Sequence, residues 1–349
     1  MKLSFRTWVS VGTVVLVAAI LYLARHELIR AWELMSQVNL WILSLVVPLL
    51  LFSYYASGET VFSYLRQKGN LGRMSIFSQI RLALELNFVN HVMPSGGASG
   101  LTYMALRLKA YGVVASKATM AQVVRVAVGF AAFIVLLMIA VLIITIDGNI
   151  NRSIILVSSS LVGLMVGVSV IGGYFLWRKS RVSIGARWLT KTVNVVVKRV
   201  SFGRITALLD GQRVQAFMVE MHDDLVELRR DKKVLRKPFI WSLLFTATEV
   251  AVFFVVFWSL GQVVNPAPIL IAYGLATVAG FVVATPGGSG AYEALMVGFL
   301  AIAGLSQGVA LAGVVLARVI ILVVILVVGY VFYQQAVSKY GIKVHESNS

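Results

Sequence analysis

The sequence predicts an all-α polytopic membrane protein with about six full spans plus two re-entrant or broken helical hairpins in an inverted repeat. Three observations predict it. Of 349 residues, 59% are apolar and 13% charged, where soluble domains average about 45–50% and about 25%. Seven apolar runs occur, at residues 8–24, 41–64, 122–146, 153–177, 239–260, 269–284 and 307–331. About 20 helical residues cross a hydrocarbon core of about 30 Å, and none of these runs alternates as a barrel strand does. Finally, a Pro-Gly-Gly break appears twice in apolar surroundings, in "VMPSGGASGLTYMALR" and in "ATPGGSGAYEALMVG".

In chain order, residues 8–24 follow "MKLSFR" and read as a retained anchor, because no small-x-small cleavage site follows them. "RHELIRAWELMSQVN" is an amphipathic segment outside the membrane, and residues 41–64 return. "RQKGNLGR" lies inside. "FSQIRLALELNFVNHVM" runs helically to Pro94, and "LTYMALRLKAYGVVASK" is too polar to cross alone. The pair is therefore a hairpin that enters from the cytoplasm and breaks at 94–100. Residues 122–146 cross outward and 153–177 return; Gly163 and Gly167 suit close helix packing. Residues 178–237 form a cytoplasmic insert with 15 basic and six acidic residues. Its stretch "RWLTKTVNVVVKRV" has amphipathic spacing that fits either an anionic headgroup surface or a solvated linker. Residues 239–260 go out, 269–284 come in and break at Pro286, 291–304 turn back, and 307–331 lead to an inside C-terminus.

With the N-terminus inside, 25 of the 31 basic residues fall on the inner side and three on the outer, as the positive-inside rule requires. The protein reads as one domain over 1–349, with a first half of about 1–147 and a second of about 153–337. Glu59 and Glu249, Pro94 and Pro286, and Arg125 and Arg318 are separated by 190, 192 and 193 residues. Each half thus repeats Glu in a span, a Pro-Gly-Gly hairpin and Arg in the next span, with opposite orientation. This is the pattern of many secondary transporters.

Irregular backbone survives at membrane depth only when buried in protein or facing a watery cavity. The helix after each break opens on Ser-Gly, at Ser99–Gly100 and Ser289–Gly290. Helix N-termini offer free N–H groups and a positive dipole end, and serine is a good N-cap. Two such termini from opposite faces can converge on a phosphate or carboxylate. Intramembrane charges are costly and need partners. Glu249 and Arg318, both near mid-depth, are expected to pair or share a cavity. Glu59 and Arg125 are expected to pair nearer the cytoplasm, and Arg81 and Glu85 at i, i+4. Asn87, Asn90 and His91 cluster on one side of the entering arm, as headgroup hydrogen-bonders or a proton relay.

Other chemistries lack their residues. The absence of cysteine removes disulfides and thiolate chemistry. "GASG" and "GGSG" fit the Gly-x-Ser-Gly of rhomboid proteases, but no later span holds the required histidine. There is no His-Glu-x-x-His, Walker lysine or Asp-x-Asp motif, so no metal, nucleotide or other cofactor is expected. Topology accounts for the net charge of +17, which leaves nucleic-acid binding unsupported.

"LNFVNHVMPSGGASG" followed late in the chain by "ATPGGSGAYEAL" resembles the lysylphosphatidylglycerol synthase transmembrane-region family, best known as the flippase domains of bacterial multiple peptide resistance factors. Asn90, Pro94, Gly96 and Gly97 match its first motif, and Pro286, Gly287, Gly288, Gly290 and Glu293 its second. The resemblance implies lipid translocation, with aminoacylated phosphatidylglycerol as the familiar cargo. Full-length resistance factors add a soluble aminoacyltransferase domain; this chain ends at "SKYGIKVHESNS" and is expected to act without one. The expected role is a flippase of the cell inner membrane with both termini cytoplasmic, a transporter rather than an enzyme. A headgroup would meet the Ser99 and Ser289 helix N-termini and be balanced by Arg125 and Arg318. Without an ATP motif, transport would be passive or ion-coupled, with Glu59, Glu249 or His91 as candidate proton carriers. Its partners would be anionic or aminoacylated phospholipids, and a homodimer or a lipid-modifying enzyme partner is compatible. The alternatives are a membrane transferase acting on a lipid headgroup, or an accessory subunit of a lipid-modifying enzyme.

Overall fold

The computed structural model describes residues 25–92, 98–147, 152–177, 210–282 and 290–340, with some residues of 15–22 and 187–195. Most of the expected first span and most of residues 178–209 lie outside the described residues. So do Pro94, Gly96, Gly97, Pro286, Gly287, Gly288 and Ser289.

The described elements are helical. They are α1 (Arg25–Leu34), α2 (Leu40–Ser44), α3 (Val46–Gln67), α4 (Ile76–Val92), α5 (Ala98–Lys109), α6 (Ala115–Ile146), α7 (Arg152–Trp177) and α8 (Gly211–Arg230). A 3-10 turn at Lys232–Leu235 leads into α9 (Arg236–Ser259). Then come α10 (Pro266–Val282), α11 (Ala291–Ile302), α12 (Gln307–Val324), a π turn at Ile325–Gly329 and α13 (Tyr330–Tyr340). Polar caps mark several starts. The Asn39 side chain accepts the Trp41 and Ile42 N–H groups ahead of α2, and Ser306 accepts that of Val309 ahead of α12.

Five segments are long and apolar enough to cross a membrane: Leu40–Gln67, Ala115–Ile146, Arg152–Ile171, Lys232–Ser259 and Gln307–Ser338. They correspond to five of the six expected spans, and residues 8–24 would be the sixth. The span expected from residue 122 begins seven residues earlier, at Ala115. The polar stretch before it closes α5 at Lys109, turns at Gly112 and starts α6 with Lys117 already helical. Lys117 is anchored there by Asp224 of α8.

The centre of the bundle is the α3–α9 pair. Asn39 N–H donates to Ser259 O at 2.8 Å, and at the other end Gln67 Nε2 donates to Val234 O at 3.0 Å. Between them the Ser53 hydroxyl donates to Glu249. Early α3 thus meets late α9, so the two helices run antiparallel. Each ends in the same turn, with Gly69 at φ 69° and Gly261 at φ 77°. Each turn is closed by a bond back five residues, Asn70 N–H to Leu65 O at 2.9 Å and Gln262 N–H to Phe257 O at 3.0 Å, the Schellman geometry that glycine permits. The hairpin arms match as well: α4 and α10 have 17 residues, α5 and α11 have 12. Both second arms end in a second matched turn, at Gly112 and Gly304. Equivalent helices pointing in opposite directions make the repeat an inverted one.

Aromatic side chains fill the seam. Phe62 of α3 and Phe253 and Phe257 of α9 are fully buried. Gly313 lets α12 close on α9, since a Cβ there would lie 2.1 Å from the Phe257 ring. Gly313→Ala is expected to overpack this contact and cost about 1–3 kcal/mol, read as a lowered melting midpoint in detergent. Gly163 and Gly167 do not do what their spacing suggests. A Cβ at either would meet nothing within 4 Å, because α7 lies at the margin of the bundle with Val166, Val170 and Ile171 exposed.

Candidate functional site

A cavity of about 130 Å³ opens at mid-length of the α3–α9 pair. Tyr54 of α3 faces Phe245, Glu249 and Phe253 of α9 across it. Asn87 and His91 enter from the last turns of α4, just ahead of the first break. Tyr273 and Thr277 of α10 and Tyr292 of α11 flank the second break. Arg318 and Ile321 of α12 and Ile325 of the π turn complete the wall. Both hairpins, inserted from opposite ends, therefore deliver side chains to one chamber. That is a consequence of the inversion, since arms of equal length entering from opposite faces end at the same depth.

The chamber has one carboxylate and one guanidinium on its wall, and they are held differently. Arg318 Nε donates to Glu293 Oε1 at 2.9 Å, and its guanidinium lies 4.1 Å from the centre of the Tyr292 ring. Glu293 Oε2 accepts the Gly290 N–H at 2.6 Å. Gly290, at φ 88°, is the N-cap of α11. Glu293 therefore closes the helix end after the second break and fixes the arginine at the same time. Glu249 accepts a hydroxyl bond from Ser53. His91 Nδ1 sits 2.9 Å from the Asn87 carbonyl. A carbonyl only accepts, so Nδ1 carries the hydrogen and Nε2 is left with the lone pair.

The family model described as the lysylphosphatidylglycerol synthase TM region matches residues 8–329 of the 349-residue chain. The chain belongs to that family. Comparison with curated proteins and with solved structures gives no match.

In this member of the family, the expected site residues divide into three groups. Asn87, His91, Glu249 and Arg318 line the chamber, and Glu293 is bonded to Arg318. Glu249 and Arg318 share it without pairing, because Glu293 holds the arginine. Asn90 parts from Asn87 and His91: it faces Gly100 of α5 so closely that a Cβ there would lie 2.1 Å from its Oδ1. The returning arm thus packs directly against Asn90. Ser99 falls within the first turn of α5 rather than ahead of it, so it does not occupy the cap position expected of it.

The second group is the charge cluster of the first hairpin. Glu85 is fully buried and accepts Arg81 Nε at 2.9 Å, Tyr103 OH at 2.8 Å and Arg107 Nε at 2.7 Å. The Arg81 pair was expected. Tyr103 and Arg107 were not, although their i, i+4 spacing on α5 puts them on one face.

The third group corrects an expectation. Glu59 does not pair with Arg125. It pairs with Arg66, two turns along the same helix, and Arg125 instead donates to Ser57 Oγ at 3.0 Å. Arg125 is not on the chamber wall; it bonds α3 one turn beyond Tyr54. Serines 53 and 57, missed as partners, belong to "SYYASGET", a stretch more polar than a lipid-facing helix needs.

Proposed function

We propose that the protein carries a phospholipid or related lipid headgroup across the cell inner membrane, with both termini cytoplasmic and the acyl tails left in the bilayer. The observation that supports this most is the chamber at mid-length of the α3–α9 pair, walled by residues of both halves, with Arg318 and Glu249 in its lining. Family membership supports a lipid-related role.

An Arg guanidinium is the natural partner of a phosphate. Arg318 meets the headgroup phosphate in the chamber, displacing the Glu293 carboxylate from it. Arg125 of α6, which donates to the neutral Ser57 of α3, is a second cation close to the chamber's α3 wall. The chamber of about 130 Å³ is below the roughly 300–1,000 Å³ of ordinary ligand pockets, so it corresponds to a closed form. The hairpins part to admit a headgroup. Anionic and aminoacylated phospholipids both carry the required phosphate. The basic segment of residues 178–237 offers a surface for anionic membrane or for a lipid-modifying enzyme, and a homodimer is compatible with the exposed α7.

The test is reconstitution of the full chain in phosphatidylethanolamine/phosphatidylglycerol liposomes with trace headgroup-labelled phosphatidylglycerol. Faster exchange of label between leaflets than in protein-free liposomes is expected. No acceleration with any labelled phospholipid would remove the transport reading, and chemical turnover of the lipid in detergent would favour a transferase.

A further inference from the structure

The membrane-embedded carboxylates are not equivalent. Glu59 is bonded to Arg66, Glu85 to Arg81 and Arg107, and Glu293 to Arg318. Glu249 lies at mid-length of α9, on the wall of the chamber, and its recorded hydrogen bond comes from one neutral hydroxyl, that of Ser53. One hydroxyl donor does not balance a carboxylate withdrawn from water. Such a group is balanced by a proton or by a cation that comes and goes.

The titratable and charged groups facing Glu249 are Tyr54 from α3, His91 from α4, Tyr273 from α10, Tyr292 from α11 and Arg318 from α12. Arg318 is engaged by Glu293. His91 presents a nitrogen lone pair, since its Nδ1 hydrogen is given to Asn87. The Tyr54 hydroxyl is buried without a hydrogen-bond partner among the described residues. A chamber of about 130 Å³ has room for several waters, each needing roughly 10–15 Å³ by this measure. These are the parts of a proton path. A metal cation fits poorly, because it needs a cage of oxygens. Among the described residues no group of three or more His, Asp or Glu is placed to form one.

We infer that Glu249 is a proton-binding site through which lipid movement is coupled to a proton gradient. The inference rests on the transport reading. In one half of the cycle the Glu249 carboxylate takes a proton from one side by way of chamber water, forming the neutral acid. In the other it releases that proton to the opposite side. His91 and Tyr54 relay it, and Ser53 orients the acceptor oxygen.

The experiment uses the same liposomes with a trapped pH-sensitive dye, the membrane potential clamped, and a pH step of one unit. One proton per lipid then biases the labelled lipid about tenfold between leaflets at steady state. The wild type is expected to show this bias together with dye-detected proton movement. Glu249→Gln is expected to lose both the bias and the proton movement, while Glu249→Asp keeps them; monodispersity in detergent confirms that each variant is folded. Lipid movement in the wild type that ignores the pH step, or is driven equally by a sodium gradient, overturns the inference but leaves transport standing. So does a folded Glu249→Gln that keeps the bias. No lipid movement under any gradient overturns both.

Discussion

Replacing Arg125 and Arg318 together by alanine is expected to slow lipid exchange in liposomes by about 100-fold or more, because each charged hydrogen bond to phosphate contributes about 1.5–3 kcal/mol. The two sites are unequal. Arg318 lines the chamber and Arg125 does not, so Arg318→Ala alone should take the larger share. Arg318→Lys should recover only part of it, since an ammonium lacks the planar fork. Alanine at 318 also leaves Glu293 without its guanidinium. The companion variant Arg318→Ala/Glu293→Gln separates that effect: it removes the stranded carboxylate but restores no phosphate contact, and exchange should remain slow. Wild-type exchange in the folded double-arginine variant would exclude both arginines from cargo handling.

The second large effect concerns stability. Glu85→Ala removes the acceptor that holds Arg81, Tyr103 and Arg107 together. Taking one partner from a buried ion cluster costs about 3–5 kcal/mol, because the remaining charges keep their desolvation penalty. The first hairpin should come apart, seen as loss of monodisperse protein or a sharply lowered melting midpoint in detergent. Replacing Arg81, Glu85 and Arg107 together by leucine should recover most of the loss, since no charge is then left unpaired. If Glu85→Ala melts like wild type, the cluster does not hold the hairpin together.

One of the structure's main features was legible because it is repeated: the inversion followed from charges recurring at a near-constant separation. The shared chamber of Glu249 and Arg318 followed from both being near mid-span. What escaped was contact between elements. Arg107 lies in a stretch that read only as too polar to cross alone, and the return register of α5 carries it to Glu85. Glu59 found Arg66 on its own helix at i, i+7, a spacing two turns long that is easily passed over beside the more familiar i, i+4. Ser53 and Glu249 lie 196 residues apart, and nothing local joins them. Glu293 read as one residue of the second motif. Its second bond, to the Gly290 N–H, became visible only once α11 was seen to start there.

The antiparallel α3–α9 pair with its matched glycine turns has an energetic consequence. When two like halves insert from opposite faces, each can adopt the other's pose, and the result is the same packing seen from the other side of the bilayer. The two end states are then near-degenerate by construction, and what tips the balance is whatever the halves do not share. Here that is an ionic rivet in one hairpin: α4 and α5 carry Arg81, Glu85 and Arg107, whereas α10 has no charged residue and α11 has only Glu293. On the proposed transport cycle, the hairpin without that rivet, α10 with α11, is the half expected to yield first.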